Sequence, residues 1–345
     1  MGEVSLTAND ESELDLFSNL ISNQAELAKQ ARVFRKKRIE KSISPYDADS
    51  FEQKGWEVTR PGKRSSRIAR PKRHDEQLEH RIWLLLFNMG YSSINASGFK
   101  LSYRREDGKL GKKQIDAFAL DDETIFIIEC KSKEIRGRRS LQKDLHETAF
   151  LQPFVRKEIL ARYTKGQRPK LIWAYATKNI IWSEADLDRA QSAGIHVISE
   201  NEIQYFETFI KHMGMAGKYQ ILAEFLQGQK IEGLQGKTLP AVRGKIGGET
   251  FYSFVTSPRN LLKIAFINHQ SLATPGGAPA YQRMIESSRI KKIGKFIEDG
   301  GYFPTNLLVN FTQPVRFDLI DNKLNADPNI KFGWITLPSL YKSAW

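Results

Sequence analysis

The sequence predicts an α/β fold for its middle part, on three observations. An amphipathic helix opens the region, strand-like segments follow in close succession, and helix and strand then alternate. The expected order is α-β-β-β-α-β-α-β. HDEQLEHRIWLLLFNMG places Leu78, Ile82, Leu85, Leu86 and Met89 at helical spacing. Asp75 and Glu76 occupy its first turn, where the helix dipole favours acids, and Gly90 supplies the stop.

Three strand-like segments come next. FKLSYRRE, from Phe99 to Glu106, ends at Asp107-Gly108. KQIDAFAL, from Lys113 to Leu120, alternates polar and apolar residues. TIFIIECK, from Thr124 to Lys131, is an apolar run of the kind buried on both faces of a sheet. Asp121-Asp122-Glu123 makes the turn between the last two. A long helix is expected from Leu141 to Tyr163, kinked or broken at Pro153. KLIWAYAT (Lys170 to Thr177) and IHVIS (Ile195 to Ser199) read as strands. SEADLDRAQSAG (Ser183 to Gly194) between them reads as a helix opened by Ser and closed by Gly.

The flanks differ. Residues 1–72 form a basic N-terminal extension. An acidic amphipathic stretch is followed by two basic runs, Arg32 to Arg38 and PGKRSSRIARPKR. These runs suit either an arm along a phosphate backbone or a solvated linker. Trp56 implies that the segment docks. Residues 73–206 are the central domain, 207–237 a helical connector, and 238–345 a second α+β domain. In that domain LPAVRGKIGGETFYSFVTSP is β-rich, and Leu261 to Ile267 is strand or helix. TPGGAPA is a loop, Tyr281 to Gly301 a helix and TNLLVNF a strand.

The chain carries a net charge of +13 and a pI near 9.6, which favour a polyanionic partner, nucleic acid above all. Cys130 is the only cysteine, which excludes an intrachain disulfide and a cysteine-based zinc site and fits a reducing compartment. MGEVSLTANDESELDLF lacks the layout of a signal peptide, and no apolar run approaches the ~20 residues needed to span a bilayer. A cytoplasmic location with no membrane partner is therefore expected.

The chemistry concentrates in QIDAFALDDETIFIIECK. Side chains alternate along a strand, so Glu129 and Lys131 share a face and Cys130 points the other way. A two-residue turn at Asp122-Glu123 would set Asp116 opposite Glu129. Two carboxylates side by side call for a cation between them, and Mg²⁺, with Mn²⁺ as substitute, suits oxygen ligands. The Cys130 backbone carbonyl is a further candidate ligand. Lys131 would orient or deprotonate a nucleophilic water and offset transition-state charge. The alternatives are an ordinary cross-face ion pair, or a site that binds DNA without cutting it.

Asp116, Glu129 and Lys131 make D-x12-E-x-K after a helix, and in this setting the segment resembles the PD-(D/E)xK nucleases. The resemblance covers about 130 residues, with Ile115 in place of proline before Asp116. It implies an α-β-β-β-α-β core with a mixed sheet and a Mg²⁺-dependent endodeoxyribonuclease, with a homodimer for cutting both strands. Asp116 and Glu129 would be metal ligands and Lys131 the catalytic lysine. The first helix would add a carboxylate, Glu79 first and Glu76 as fallback. Lys133, Arg136, Arg138 and Arg139 follow directly as phosphate clamps or a solvated loop, and Gln142 is a candidate substrate contact.

LPAVRGKIGGETFYSFVTSPRNLLKIAFINH and YQRMIESSRIKKIGKFIEDGGYFPTNLLVNF resemble the start of the DGQHR-domain (DndB-like) family. Tyr281, Gln282, Arg283, Arg289 and Ile293 are its nearest matches. The DGQHR string itself does not occur. It belongs just downstream of GWITLPSLYKSAW, so this domain is expected to be partial. The resemblance implies a role beside other proteins in DNA modification or anti-phage defence.

Overall fold

A computed structural model describes residues 19–164, 168–231, 234, 236–265, 287–320, 329–341, 343 and 344. These residues fall into two compact units, divided between Gln204 and Tyr205. The protein is mixed α/β, with a mixed sheet and several helices. Among the described residues no helix is long and apolar enough to cross a membrane.

The first unit begins with β1 (Leu20–Ile21), α1 (Gln24–Arg35) and β2 (Arg38–Ile43). After α2 (Ala48–Glu52) come β3 (Glu57–Arg60), β4 (Ser66–Pro71), α3 (His74–Asn88) and β5 (Ser93–Asn95). Next are β6 (Lys100–Arg104), β7 (Leu110–Gln114), β8 (Ala117–Leu120), β9 (Thr124–Arg138) and α4 (Gln142–Leu160). The unit ends with β10 (Lys170–Ile181), α5 (Glu184–Ser192), β11 (Ile195–Ile198) and the start of α6 (Glu200–Met213).

Six strands form the central sheet, ordered β1-β5-β8-β9-β10-β11. β9, β10 and β11 are parallel and the other pairings antiparallel. Thr124 to Glu129 are buried without a break, as the apolar run requires. α3 packs on one face and α1 packs on α3. α4 covers the other face, where Leu145, Leu151, Val155 and Ile159 meet Phe118, Ile125, Ile127 and Trp173. Burying such side chains contributes roughly 1.5–3 kcal/mol each.

Several expectations are corrected. The described part of residues 1–72 groups with the central domain in the first unit. β1 forms the edge of the central sheet, and β2-β4-β3 form a small antiparallel sheet. Ser66 to Pro71 of the second basic run lie in β4, so that part is neither a free arm nor a solvated linker, while Pro61 to Ser65 form an exposed connection between β3 and β4. Trp56 is buried edge-on to Phe51.

KQIDAFAL is two strands in two sheets. β7 pairs with β6, β8 pairs with β9, and the chain breaks at Ile115-Asp116. Asn95 explains the break. Its side chain donates to the Asp116 carbonyl (3.2 Å) and accepts from the Phe118 N–H (3.0 Å), meeting backbone demands that a ladder would otherwise meet. β9 runs seven residues beyond Lys131, where a loop is expected, because its pairing with β10, interrupted after Ser132, resumes at Gly137 and Arg138. α4 passes through Pro153 as one helix.

The second unit holds the rest of α6, then α7 (Gly217–Phe225), β12 (Thr238–Ile246), β13 (Glu249–Phe254) and α8 (Pro258–Ile264). It closes with α9 (Ser287–Glu298), β14 (Arg316–Leu319) and β15 (Lys331–Thr336). The connector at 207–237 belongs to this unit. The antiparallel sheet runs β13-β12-β15-β14. Gly247 and Gly248 both have positive φ (57° and 90°), the demand of a two-residue hairpin turn. Leu261 to Ile264 are helical, which settles that stretch as far as Ile264. TNLLVNF is not a strand: Leu308 is 98% exposed and only Phe311 makes an isolated bridge. TPGGAPA, Tyr281, Gln282 and Arg283 lie outside the described residues.

Candidate carboxylate site

The β8–β9 turn sets the geometry. Asp121 accepts from the N–H groups of Glu123 and Thr124, leaving Asp122 and Glu123 as a two-residue turn. Pairing then proceeds from Leu120↔Ile125 to Ala117↔Ile128, so the next position places Asp116 opposite Glu129. There the ladder ends. The Asp116 carboxylate instead accepts from the Cys130 backbone N–H at 2.8 Å.

Glu129 is 5% exposed. Its Oε2 lies 3.3 Å from the Lys131 Nζ, while Oε1 is buried without a hydrogen-bond partner. Burial raises the pKa of both Asp116 and Glu129, and the negative charge of Asp116 raises Glu129 further. Burial would lower the Lys131 pKa, but Glu129 and then Asp144 outweigh it and hold the ammonium charged.

Glu79 arrives from α3. It lines, with Asp116, a 410 Å³ cavity whose other walls come from α1, β2 and β5. Burial, then Asp116, pushes its carboxyl up to about 7. Asp116 therefore couples electrostatically to Glu129 on one side and to Glu79 on the other. Glu76 is not part of this group. It bonds Arg70 through both oxygens (2.6 and 2.7 Å) and caps the helix through the Arg73 N–H. Arg70 holds its carboxyl down at about 2.

The basic residues behave differently from one another. Arg136, Arg138 and Arg139 are exposed, and Lys133 donates to the Arg138 carbonyl at 3.2 Å. Gln142 opens onto a shallow surface with His146 and Phe150, a lining that contains none of the site carboxylates.

Four neighbours escape the sequence reading. Asp144, in the first turn of α4, holds Lys131 at 3.1 Å. It shares a helix face with Leu141, Leu145 and Thr148, a pattern that could have flagged it. Tyr175 lies beside Glu129 on β10, and its hydroxyl fixes α4 through Thr148 (2.8 Å) and the Asp144 carbonyl (2.9 Å). Lys113 pairs with Glu147 at 2.8 Å and adds positive potential at Asp116 and Glu129. Asn95, described above, fixes the backbone around Asp116.

Among the described residues no group of three or more His, Cys, Asp and Glu side chains is arranged to hold a metal. Glu129 is buried with one unpartnered oxygen, Asp116 beside it is half-buried, and Glu79 lines the cavity that Asp116 also lines. Oxygen donors of this kind are the type that Mg²⁺ uses, since it keeps several waters and binds through one or two carboxylates.

Neither a protein-family model nor a curated protein matches the chain. Among solved structures, protein VC1899 from Vibrio cholerae is similar at 15% identity and TM-score 0.28. The match covers 54% of this chain and 51% of that one.

Proposed function

We propose that the first unit is a PD-(D/E)xK-type, metal-dependent DNA endonuclease that hydrolyses phosphodiester bonds. The observation that carries this is the orphaned, buried Glu129 Oε1 beside Asp116 and Lys131. An ordinary surface ion pair would leave no buried acceptor unmet. Asp116, Glu129 and the Cys130 carbonyl would hold Mg²⁺ or Mn²⁺, with Glu79 as a further ligand. The cation would supply Lewis acidity and a nucleophile at neutral pH.

The chain's own groups do the rest. Lys131 stays protonated between Glu129 and Asp144, so its role here is charge stabilisation and orientation of the attacking water rather than proton abstraction. Arg136, Arg138 and Arg139 would neutralise phosphates flanking the cut. The second unit would be a DGQHR-like domain. The whole would act in the cytoplasm in DNA modification or anti-phage defence, with DNA, other proteins of that system and a second copy of itself as partners.

A non-catalytic DNA-binding regulator is the second reading. The capture of Lys131 by Asp144 favours it, because that contact withholds the ammonium from a substrate. Plasmid cleavage with Mg²⁺ or Mn²⁺ separates the two. Cutting that Asp116→Ala and Lys131→Ala both abolish supports the nuclease. Intact binding with no cutting on modified or unmodified DNA supports the regulator.

A further inference from the structure

Beyond Lys131, β9 does something that an ordinary strand does not. Its parallel pairing with β10 holds to Ser132↔Lys178 and resumes at Gly137↔Ile180. Lys133, Glu134, Ile135 and Arg136 therefore stand opposite the single residue Asn179, and the chain bulges outward. The bulge is built rather than slack. Asn179 adopts a left-handed φ of 59°, a conformation that asparagine tolerates better than most residues. Its side-chain amide donates to the carbonyls of Lys133 (3.1 Å) and Glu134 (3.0 Å), closing the base. Lys133 Nζ ties the near limb to the Arg138 carbonyl on the far one.

Near the tip is Ile135, 80% exposed. A large aliphatic side chain held out from a braced protrusion gains nothing for folding, since burial of apolar area is what stabilises. Its chain neighbours are net cationic, with Arg136, Arg138 and Arg139 exposed beside a single carboxylate, Glu134. An exposed apolar side chain with arginines close by in the chain matches the way some proteins enter DNA. They insert Ile, Leu, Met or Phe between base pairs, unstack one step and grip the flanking phosphates.

We propose that this bulge is a DNA wedge: Ile135 enters a base step of a duplex while Arg136, Arg138 and Arg139 hold the adjoining phosphates. The proposal rests on the DNA-binding part of the reading above and not on its chemistry. Ile135 lies four residues past Lys131, at most about 13 Å along the strand. At about 3.4 Å per base pair, the distorted step falls within about four base pairs of the phosphate nearest Lys131. The duplex would be kinked there, which also widens access to the carboxylates.

The test uses the full chain in chelator, with duplexes carrying 2-aminopurine at successive positions. Wild-type protein should raise the fluorescence at one step. Ile135→Ser should lose most of that rise while weakening binding by less than about tenfold. Ile135→Phe should retain the rise, and Asn179→Ala, which opens the base of the bulge, should diminish it. An unchanged rise with Ile135→Ser overturns the wedge, as does tight duplex binding with no unstacking at any position. Preference for RNA or for a protein partner over duplex DNA overturns it as well. Unstacking without cleavage in any metal leaves the wedge standing and removes the nuclease reading alone.

Discussion

Glu79 offers a direct test of how the site is wired. In the unfolded chain its carboxyl titrates near its ordinary value of 4.5, and in the fold near 7. Folding therefore favours the protonated form. Below pH 4.5 both states carry the proton and no penalty applies. As pH rises towards 7 the unfolded chain releases it first, so stability falls, and above 7 the loss is complete. At 1.36 kcal/mol per pH unit between the two values, and with part of the side chain reached by solvent, the loss is about 2–3 kcal/mol. Glu79→Gln removes the titration while keeping the shape. In chelator, urea denaturation from pH 4 to 8.5 should show the variant gaining on wild type by about that amount, with the change centred between 4.5 and 7. Mg²⁺ should then restore part of the wild-type deficit at high pH and do less for the variant. Stability curves that stay parallel across the range would refute the coupling of Glu79 to Asp116 and with it the shared site.

Other consequences can be measured as readily. Asp144→Asn removes one of the three carboxylates that keep Lys131 charged, so the alkaline limb of a cleavage pH profile should move to lower pH. Asn95→Ala leaves the Asp116 carbonyl and the Phe118 N–H unmet, which should cost about 1–3 kcal/mol in thermal or chemical unfolding and blunt cleavage by displacing Asp116. The Cys130 thiol is pushed well above its usual range by burial and then by Asp116, Glu79 and Glu129. It should react with iodoacetamide far more slowly in native than in unfolded protein at pH 8. His80, which burial and then Lys72 lower to about 4, adds an acid-side limb. Stability should fall as pH drops from 6.5 towards 4, and His80→Phe should remove that fall.

The hairpin was readable because its determinants are local. Asp121 folds back on the N–H groups of Glu123 and Thr124, and a two-residue turn fixes the pairing as far as Ala117↔Ile128, which leaves Asp116 and Glu129 next to each other where the ladder ends. What decides the rest acts from a distance. Asn95 splits KQIDAFAL from 21 residues upstream, and no pattern inside that segment announces it. Lys133 to Arg138 look like a solvated loop by composition, yet pairing with β10 resumes at Gly137 and Arg138, and Asn179 closes the base of the bulge between. α1 exposes most of its surface and buries only Leu27 and Ala31, too thin a stripe to reveal its docking on α3. TNLLVNF has strand composition, but composition supplies no partner strand, and Leu307 and Leu308 remain in water.

The edge position of β1 bears on how this protein can be cut apart or recombined. β1 pairs with β5, and β5 carries Asn95, which sets the backbone around Asp116. α1 and β2 wall the cavity into which Glu79 and Asp116 open. A fragment starting at His74 would keep every residue of the D-x12-E-x-K motif. It would nevertheless present a raw sheet edge at β5 and an uncovered face on α3, and would be prone to self-association. The transplantable module is therefore larger than the motif suggests, and its amino-terminal limit lies at or before Asn19.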